Sequence, residues 1–459
     1  MIQVRLFSRF VGGSVRAVVR GNAAWWGWLA LLAGLIASGA LAFAGQVGTG
    51  LAVTAMRDQV SWGFYIGNFT FLVGVAAAAV ILVIPAYVYD WKPIRQIVVY
   101  GELLAVSAIV MCLLFVLVDI GRPDRFWHLL PPFGRLNFPR SILAWDVLVL
   151  NLYFLVNLAV VTHILYRAFT GRPYVKRFVV PMVLLSIPMA VGIHTVTAFL
   201  YNGLAARPYW NSSILAPQFL ASAFCSGPAI LLFVLQLLRR FTRFEIQDEA
   251  IWKIAELMAY AMFLNLFLHG AEAFKEYYSH TEHLLYTRYW YQGLGDHRTL
   301  VPYAWTAVAL NLVAFGLFIV PSARRNPWTL NLGCLATYAG VYIEKGMGLI
   351  IPGLTPDALG EIYEYAPTVT ELRVAAGIFA FGFLAFSLML KIAVPIAQGQ
   401  LRVDSGAAAG DLERLGRAAG SPLRAVPAAA AAAAVAAGAR RSLAERPTRS
   451  EGRSVGRRR

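Results

Sequence analysis

The chain has 459 residues, of which 59% are hydrophobic and 14% charged, where an average soluble domain carries about 25% charged residues. With a mean hydropathy of +0.61, it holds more apolar surface than a soluble core can hide, which excludes a water-soluble fold and calls for a bilayer. The formal net charge of +16 lies mostly in two terminal segments, so it fits contact with anionic lipid rather than a nucleic-acid face.

Residues 1–22 form a basic arm carrying Arg5, Arg9, Arg16 and Arg20. The apolar run from Ala23 to Val47 is longer than the roughly 7–15 residues of a signal-peptide core, and it is long enough to span, so it reads as a retained first helix. Ten apolar segments follow in order, near residues 24–46, 61–89, 98–119, 141–167, 178–201, 215–238, 251–275, 299–321, 327–351 and 371–396. Each approaches or exceeds the roughly 20 residues needed to cross the hydrocarbon core. The expected fold is therefore an all-α integral membrane bundle of about ten transmembrane helices, with the membrane domain at 23–398. Cys112, Cys225 and Cys334 fall inside apolar runs without metal or disulfide spacing, and read as small core hydrophobes. Residues 399–459 are rich in Ala, Gly, Pro and Arg, with no apolar face to bury, and read as a disordered tail.

The arginines orient the bundle. Lys92 and Arg95, then Arg167, Arg172, Lys176 and Arg177, then Arg239, Arg240 and Arg243, then Arg324 and Arg325 fall on the same side as both termini. That side is expected to be the cytoplasm, which places the protein in the cytoplasmic membrane with several passes. Residues 120–140 break the bias, carrying Arg122, Arg125, Arg135 and Arg140 on the outer side. A local breach of a topology rule points to another task for those charges.

Polar groups at membrane depth are functional candidates by default. Asn68, Asp119, Asp146, His194, His269, Glu272 and Glu344 (followed by Lys345) all fall in the outer half of their segments. A quinone needs hydrogen-bond partners for two carbonyls and a route for two protons, and histidine and carboxylates suit both needs. Trp62, Tyr65, Trp127 and Trp145 are candidate walls for the ring. Glu102, Glu256 and His163 form a sparser inner set that could begin a proton path with Glu272 and Glu344. Simpler readings stand beside these: an interfacial Asp119–Arg122 ion pair, an interhelical Asn68 bond, a capping His163, and aromatic belts. His194 with His269 is the one pair able to hold a haem iron, and two-haem cytochromes need four such histidines.

Three runs carry a resemblance: Val60-Ser61-Trp62-Gly63-Phe64-Tyr65-Ile66-Gly67-Asn68, Asp119-Ile120-Gly121-Arg122-Pro123, and Ser141-Ile142-Leu143-Ala144-Trp145-Asp146. Over residues 20–396 the chain resembles the NrfD/PsrC family of membrane quinone-reactive subunits. The segment from Gly340 through Glu344, Lys345 and Pro352 to Gly353 resembles the DsrP branch, the NrfD-like subunit of DsrMKJOP complexes of sulfur metabolism. The resemblance implies a bound menaquinone or ubiquinone near the extracytoplasmic face, with no haem, iron–sulfur cluster or other metal of the chain's own. It also implies a ferredoxin-like iron–sulfur partner outside, so that this chain alone completes no net reaction. His194, Asp146 and Asp119 would exchange or carry protons, Asn68, Trp62, Tyr65 and His269 would hold the ring, and Arg122, Asp124, Arg125 and Arg135 would dock the partner. Such subunits also serve polysulfide and nitrite reductases, hydrogenases and alternative complex III. The rivals are a secondary transporter, which should show inverted repeats and broken helices, and a passive anchor whose polar layer only joins helices.

Overall fold

The computed structural model describes residues 2–130, 132–242 and 244–403. Arg243 and the tail from residue 404, where the composition predicts disorder, lie outside the described residues. Phe10–Arg402 form one compact unit, while residues 2–9 are counted apart from it and are helical. The helices are α1 (Ile2–Val19), α2 (Ala23–Thr49), α3 (Phe64–Val88), α4 (Val98–Asp119), α5 (Ile142–Phe169), α6 (Lys176–Asn202), α7 (Leu215–Phe241), α8 (Asp248–Ser279), α9 (His283–Tyr291), α10 (Val301–Ile319), α11 (Pro327–Lys345), α12 (Met347–Leu354) and α13 (Val369–Ala397). Short turns complete the connections. Among the described residues the only β-type pairing is a single bridge between Leu294 and His297. A lipid environment demands this, because a helix satisfies all its backbone hydrogen bonds within itself. The protein is an all-α membrane bundle.

Nine described helices, α2 to α8, α10 and α13, are long and apolar enough to cross a membrane. The segment expected as one span at 327–351 is instead two helices, α11 and α12, meeting at Gly346 (φ −83°, ψ −107°). Apolar run length cannot register such a break, since the strongly apolar α12 simply continues the run begun by the more polar α11. The break is tolerated because α12 is covered by protein: Gly348 to Leu354 are all buried. The loop between α6 and α7 clamps α12. Trp210 Nε1 donates to Leu349 O (2.9 Å) and Arg207 Nη1 to Leu354 O (3.0 Å), the latter a carbonyl that the end of α12 leaves free. α3 is also irregular, widening over Ile84–Val88 around Pro85, which has no N–H to donate. Pro181 and Pro188, in contrast, lie within an unbroken α6.

α3 and α4 are the central helices, with 71% and 72% of their apolar windows buried against 17% for α2. α2 reaches the bundle through α13, where a Cβ on Gly39 would stand 2.8 Å from the Gly377 Cα. Only glycine permits that approach, a common device where lipid leaves van der Waals packing to hold helices together. The start of α13 anchors the entry to α3. Glu371, fully buried, accepts from the backbone amides of Ala55 (2.9 Å) and Thr368 (2.8 Å) and from the Tyr365 hydroxyl. The same hydroxyl accepts from the Phe64 amide (2.8 Å), one of the free donors at the start of α3.

Candidate functional site

The polar groups expected in one outer layer form two constellations. The first surrounds α3. On the buried face of α6, His194, Thr197 and Tyr201 follow one another at helical spacing. Thr197 Oγ1 donates to Asp146 Oδ1 on α5 (2.7 Å). The Tyr201 hydroxyl shares a short hydrogen bond with Thr70 on α3. Two residues earlier on α3, Asn68 accepts from the Tyr342 hydroxyl of α11 (2.8 Å) and donates to Phe64 O (2.7 Å). Lys345, one turn beyond Tyr342, donates to Phe219 O on α7 (3.0 Å) with its Nζ 4.3 Å from the Phe219 ring centre. Gly74 leaves room for it, since a Cβ there would sit 3.3 Å from Nζ. Asn68, Asp146, His194 and Lys345 are all buried.

His194 decides what this ring can do. Its Nδ1 lies 2.7 Å from Ala190 O, and a carbonyl only accepts, so Nδ1 carries the proton. Nε2 then presents a lone pair, is buried, and has no hydrogen-bond partner. A buried, unpaired acceptor is costly and is the natural contact for a hydroxyl proton. Trp62, Tyr201 and Trp210 pack on one another with ring centres 5.2–5.8 Å apart, Tyr201 standing about two turns beyond His194 on α6. Trp62 therefore belongs to the aromatic cluster at the outer end of this constellation. Tyr65 instead donates to Gln46 Oε1 (2.8 Å), while Gln46 donates to Val118 O (2.7 Å). Trp127 and Trp145 are 45% and 40% exposed and face away from the ring.

The second constellation joins α8, α10 and α11. Three donors converge on Glu344: His269 Nε2 (2.8 Å), Asn311 Nδ2 (2.6 Å) and Asn265 Nδ2 (3.3 Å). Glu272 accepts from Gln218 Nε2 (2.6 Å). His269 and Glu272 line a cavity of about 40 Å³ with Glu276, His283, Tyr209 and Tyr291, room for about one water. His269 thus has both ring nitrogens engaged, and the two histidines do not offer a pair of free nitrogens to one iron. Among the described residues no cluster of three or more His, Cys, Asp or Glu is placed to hold a metal.

The remaining candidates stand apart. Glu102 is buried with Oε2 unpartnered, and Oε1 lies 3.5 Å from the Tyr87 hydroxyl. Glu256 is held in ion pairs by Lys253 (3.4 Å) and Arg324 (3.6 Å), and His163 accepts from the Val175 amide (3.2 Å). Arg122 does not pair with Asp119. It makes a two-pronged bond to Asp124 at 3.0 Å, which holds the Asp124 carboxyl below its usual range, and Asp119 Oδ1 is left buried and unpartnered. Arg125 and Arg135 are exposed, beside exposed Phe126, Trp127 and Phe133. Sequence reasoning does not single out Thr197, Tyr201, Tyr342 or Glu371. Only Glu371 carries a local signal, the Thr368-x-x-Glu371 capping box. Lys345 stands out in the sequence only as the neighbour of Glu344.

The family profile described as "Polysulphide reductase, NrfD" matches residues 52–356. The chain is 27% identical over 403 residues to a putative dimethyl sulfoxide reductase membrane subunit of Halobacterium salinarum, covering 78% of this chain and 88% of that one. It is 23% identical over 402 residues to a selenate reductase subunit of Mesobacillus selenatarsenatis, covering 78% and 91%. It is also 23% identical over 363 residues to the Hdr-like menaquinol oxidoreductase integral membrane subunit of Archaeoglobus fulgidus, covering 74% and 87%.

Proposed function

Because this chain belongs to the polysulphide reductase NrfD family, we propose that it is the quinone-reactive membrane subunit of a respiratory oxidoreductase complex. It exchanges electrons between menaquinone or ubiquinone and an iron–sulfur subunit docked at the outer face. The observation that carries this reading is the His194 Nε2 lone pair, buried without a partner among the described residues, on the same helix face as Tyr201 of the Trp62–Trp210 aromatic cluster. The names of the three relatives support it: each belongs to a reductase or oxidoreductase, and one is a menaquinol oxidoreductase subunit.

When bound, a quinol supplies two electrons and two protons. In this reading His194 accepts a proton at Nε2, and its Nδ1–H bond to Ala190 fixes the ring for that task. Asp146, held by Thr197, and the unpartnered Asp119 orient or pass protons outward. Asn68 is steered by Tyr342 toward the same space. Lys345 in its ammonium form favours a reduced, anionic oxygen over a neutral one. His194, Asp146 and Asn68 are closed off from solvent, so access runs past the partly exposed Trp62. Glu344, His269 and Glu272 form a route from this layer to the small outer cavity. The exposed arginines of the 120–140 loop, with Phe126 and Phe133, offer the partner a charged and apolar face. The Glu344-Lys345 segment favours a DsrMKJOP-like sulfur-metabolism complex, with both termini in the cytoplasm.

The test is purification in mild detergent, with mass spectrometry of co-purifying proteins and lipids and quinol-analogue oxidation by the isolated complex. Quinone together with an iron–sulfur subunit is expected, and His194→Ala should lower turnover by about 10²-fold or more without loss of assembly. A chain that carries neither, from cells that make the candidate partners, would sink the reading and turn attention to solute uptake.

A further inference from the structure

The end of the bundle opposite the His194 ring contains a second, larger cavity. It measures about 540 Å³ and lies between the start of α2 and the ends of α7 and α13, lined by Trp25, Leu238, Ser387, Leu390, Lys391 and Gln398 among others. Lys391 lies 20 residues beyond Glu371 on α13, which is about 30 Å at 1.5 Å per residue and close to the thickness of the hydrocarbon core. The cavity therefore sits at the arginine-rich end, where Arg239 and Arg240 close α7.

Two donors at this cavity lack acceptors. The Lys391 ammonium stands 5.0 Å from the Trp25 ring centre, and among the described residues no carboxylate lies within ion-pair distance of it. Arg239 takes Asp248 (2.7 Å), and Glu245 lines an adjoining space that shares Gln398 and Gln400 with this one, without an ion pair to Lys391 among the described residues. Gln398 Nε2 is buried with no hydrogen-bond partner among the described residues. A ring face compensates a cation only in part, and a cation against apolar walls needs a counter-anion. Leu238, Leu390 and Val394 supply those walls. A cation, an amide donor and an apolar groove at the headgroup level together match an anionic headgroup with an acyl chain beneath it. A neutral quinone would leave the charge of Lys391 unanswered.

We propose that this cavity is a binding site for an anionic phospholipid, with Lys391 and Gln398 on the phosphate and the acyl chain along Leu390 and Val394. The site is separate from the His194 ring and does not depend on the quinone reading. The test places the full complex in phosphatidylcholine nanodiscs doped with phosphatidylglycerol and follows retained lipid by native mass spectrometry. Wild-type protein should hold phosphatidylglycerol in preference to phosphatidylcholine. Lys391→Gln should hold it about fivefold less tightly, as expected for one lysine at an anionic headgroup, and Lys391→Arg should retain it. Added inorganic phosphate should not displace the lipid. Equal retention by wild type and Lys391→Gln overturns the proposal. So does wild-type preference for phosphatidylcholine or quinone, a comparison that needs no variant to assemble.

Discussion

His194 and His269 occupy the same local arrangement and opposite chemical situations. Each ring turns Nδ1 to the carbonyl one turn back, Ala190 O at 2.7 Å and Asn265 O at 2.9 Å. At His269 the second nitrogen meets Glu344 at 2.8 Å. At His194 it meets no partner among the described residues and is buried. A saturated histidine holds helices together and can relay a proton along a fixed pair. An unsaturated one is available to a ligand. The identity of the residue and its depth in the membrane do not separate the two cases; the partner of Nε2 does.

The largest effect that tests this difference is expected at His194. His194→Ala should lower quinol-coupled turnover by about 10²–10⁴-fold, the usual worth of a positioned acid or base, with assembly intact, while His269→Ala should cost far less. Equal losses at both positions would erase the distinction. Glu344→Gln should act mainly on stability. By weakening the His269 pair it should destabilise the bundle by about 2 kcal/mol, read as a lower melting temperature in detergent with turnover per folded complex little changed. A large loss of turnover at unchanged melting temperature would instead place Glu344 in the chemistry. Lys345→Met removes a buried cation that has no ion-pair partner within reach among the described residues. Stability should hold or rise, while turnover falls about tenfold, a loss of roughly 1.4 kcal/mol in transition-state stabilisation. If stability collapses, the lysine is a structural clamp on Phe219 O. The smallest effect belongs to Thr197→Val, which deletes one hydrogen bond to Asp146. Interhelical bonds in membranes average about 0.6 kcal/mol, so turnover should drop about threefold, and a drop as large as that of His194→Ala would move Asp146 to the centre of the site.

Much of the fold is legible in the sequence because it rests on length and composition. Nine of the apolar runs are helices able to span among the described residues; of their polar members Asn68, Asp146 and His194 are buried, while His269, Glu272 and Glu344 are half-buried. The partners of those polar groups are not legible. Asp119 and Arg122 are three residues apart and invite an ion pair, yet Arg122 turns to Asp124. Tyr65 reads beside Trp62 as a ring wall, yet it reaches back to Gln46 on α2. Glu344 and Lys345 are adjacent in sequence but about 100° apart around a helix. One therefore joins His269 and Asn311, and the other enters the ring around α3.

The sequence by itself determined that the chain is a helical membrane bundle and that ionisable side chains such as Asp146, His194 and Glu344 lie within its apolar runs. Those conclusions depend on the transfer of side chains and backbone into lipid, and that cost is local to each segment. Tertiary structure decided which of those groups are saturated and which are left open. Tyr342 reaches Asn68 across 274 positions of sequence and Lys345 reaches Phe219 across 126. The break at Gly346 ends α11 at Lys345. In lipid such meetings are set by close helix packing and hydrogen bonding between distant segments, and neither can be read from a single run of residues.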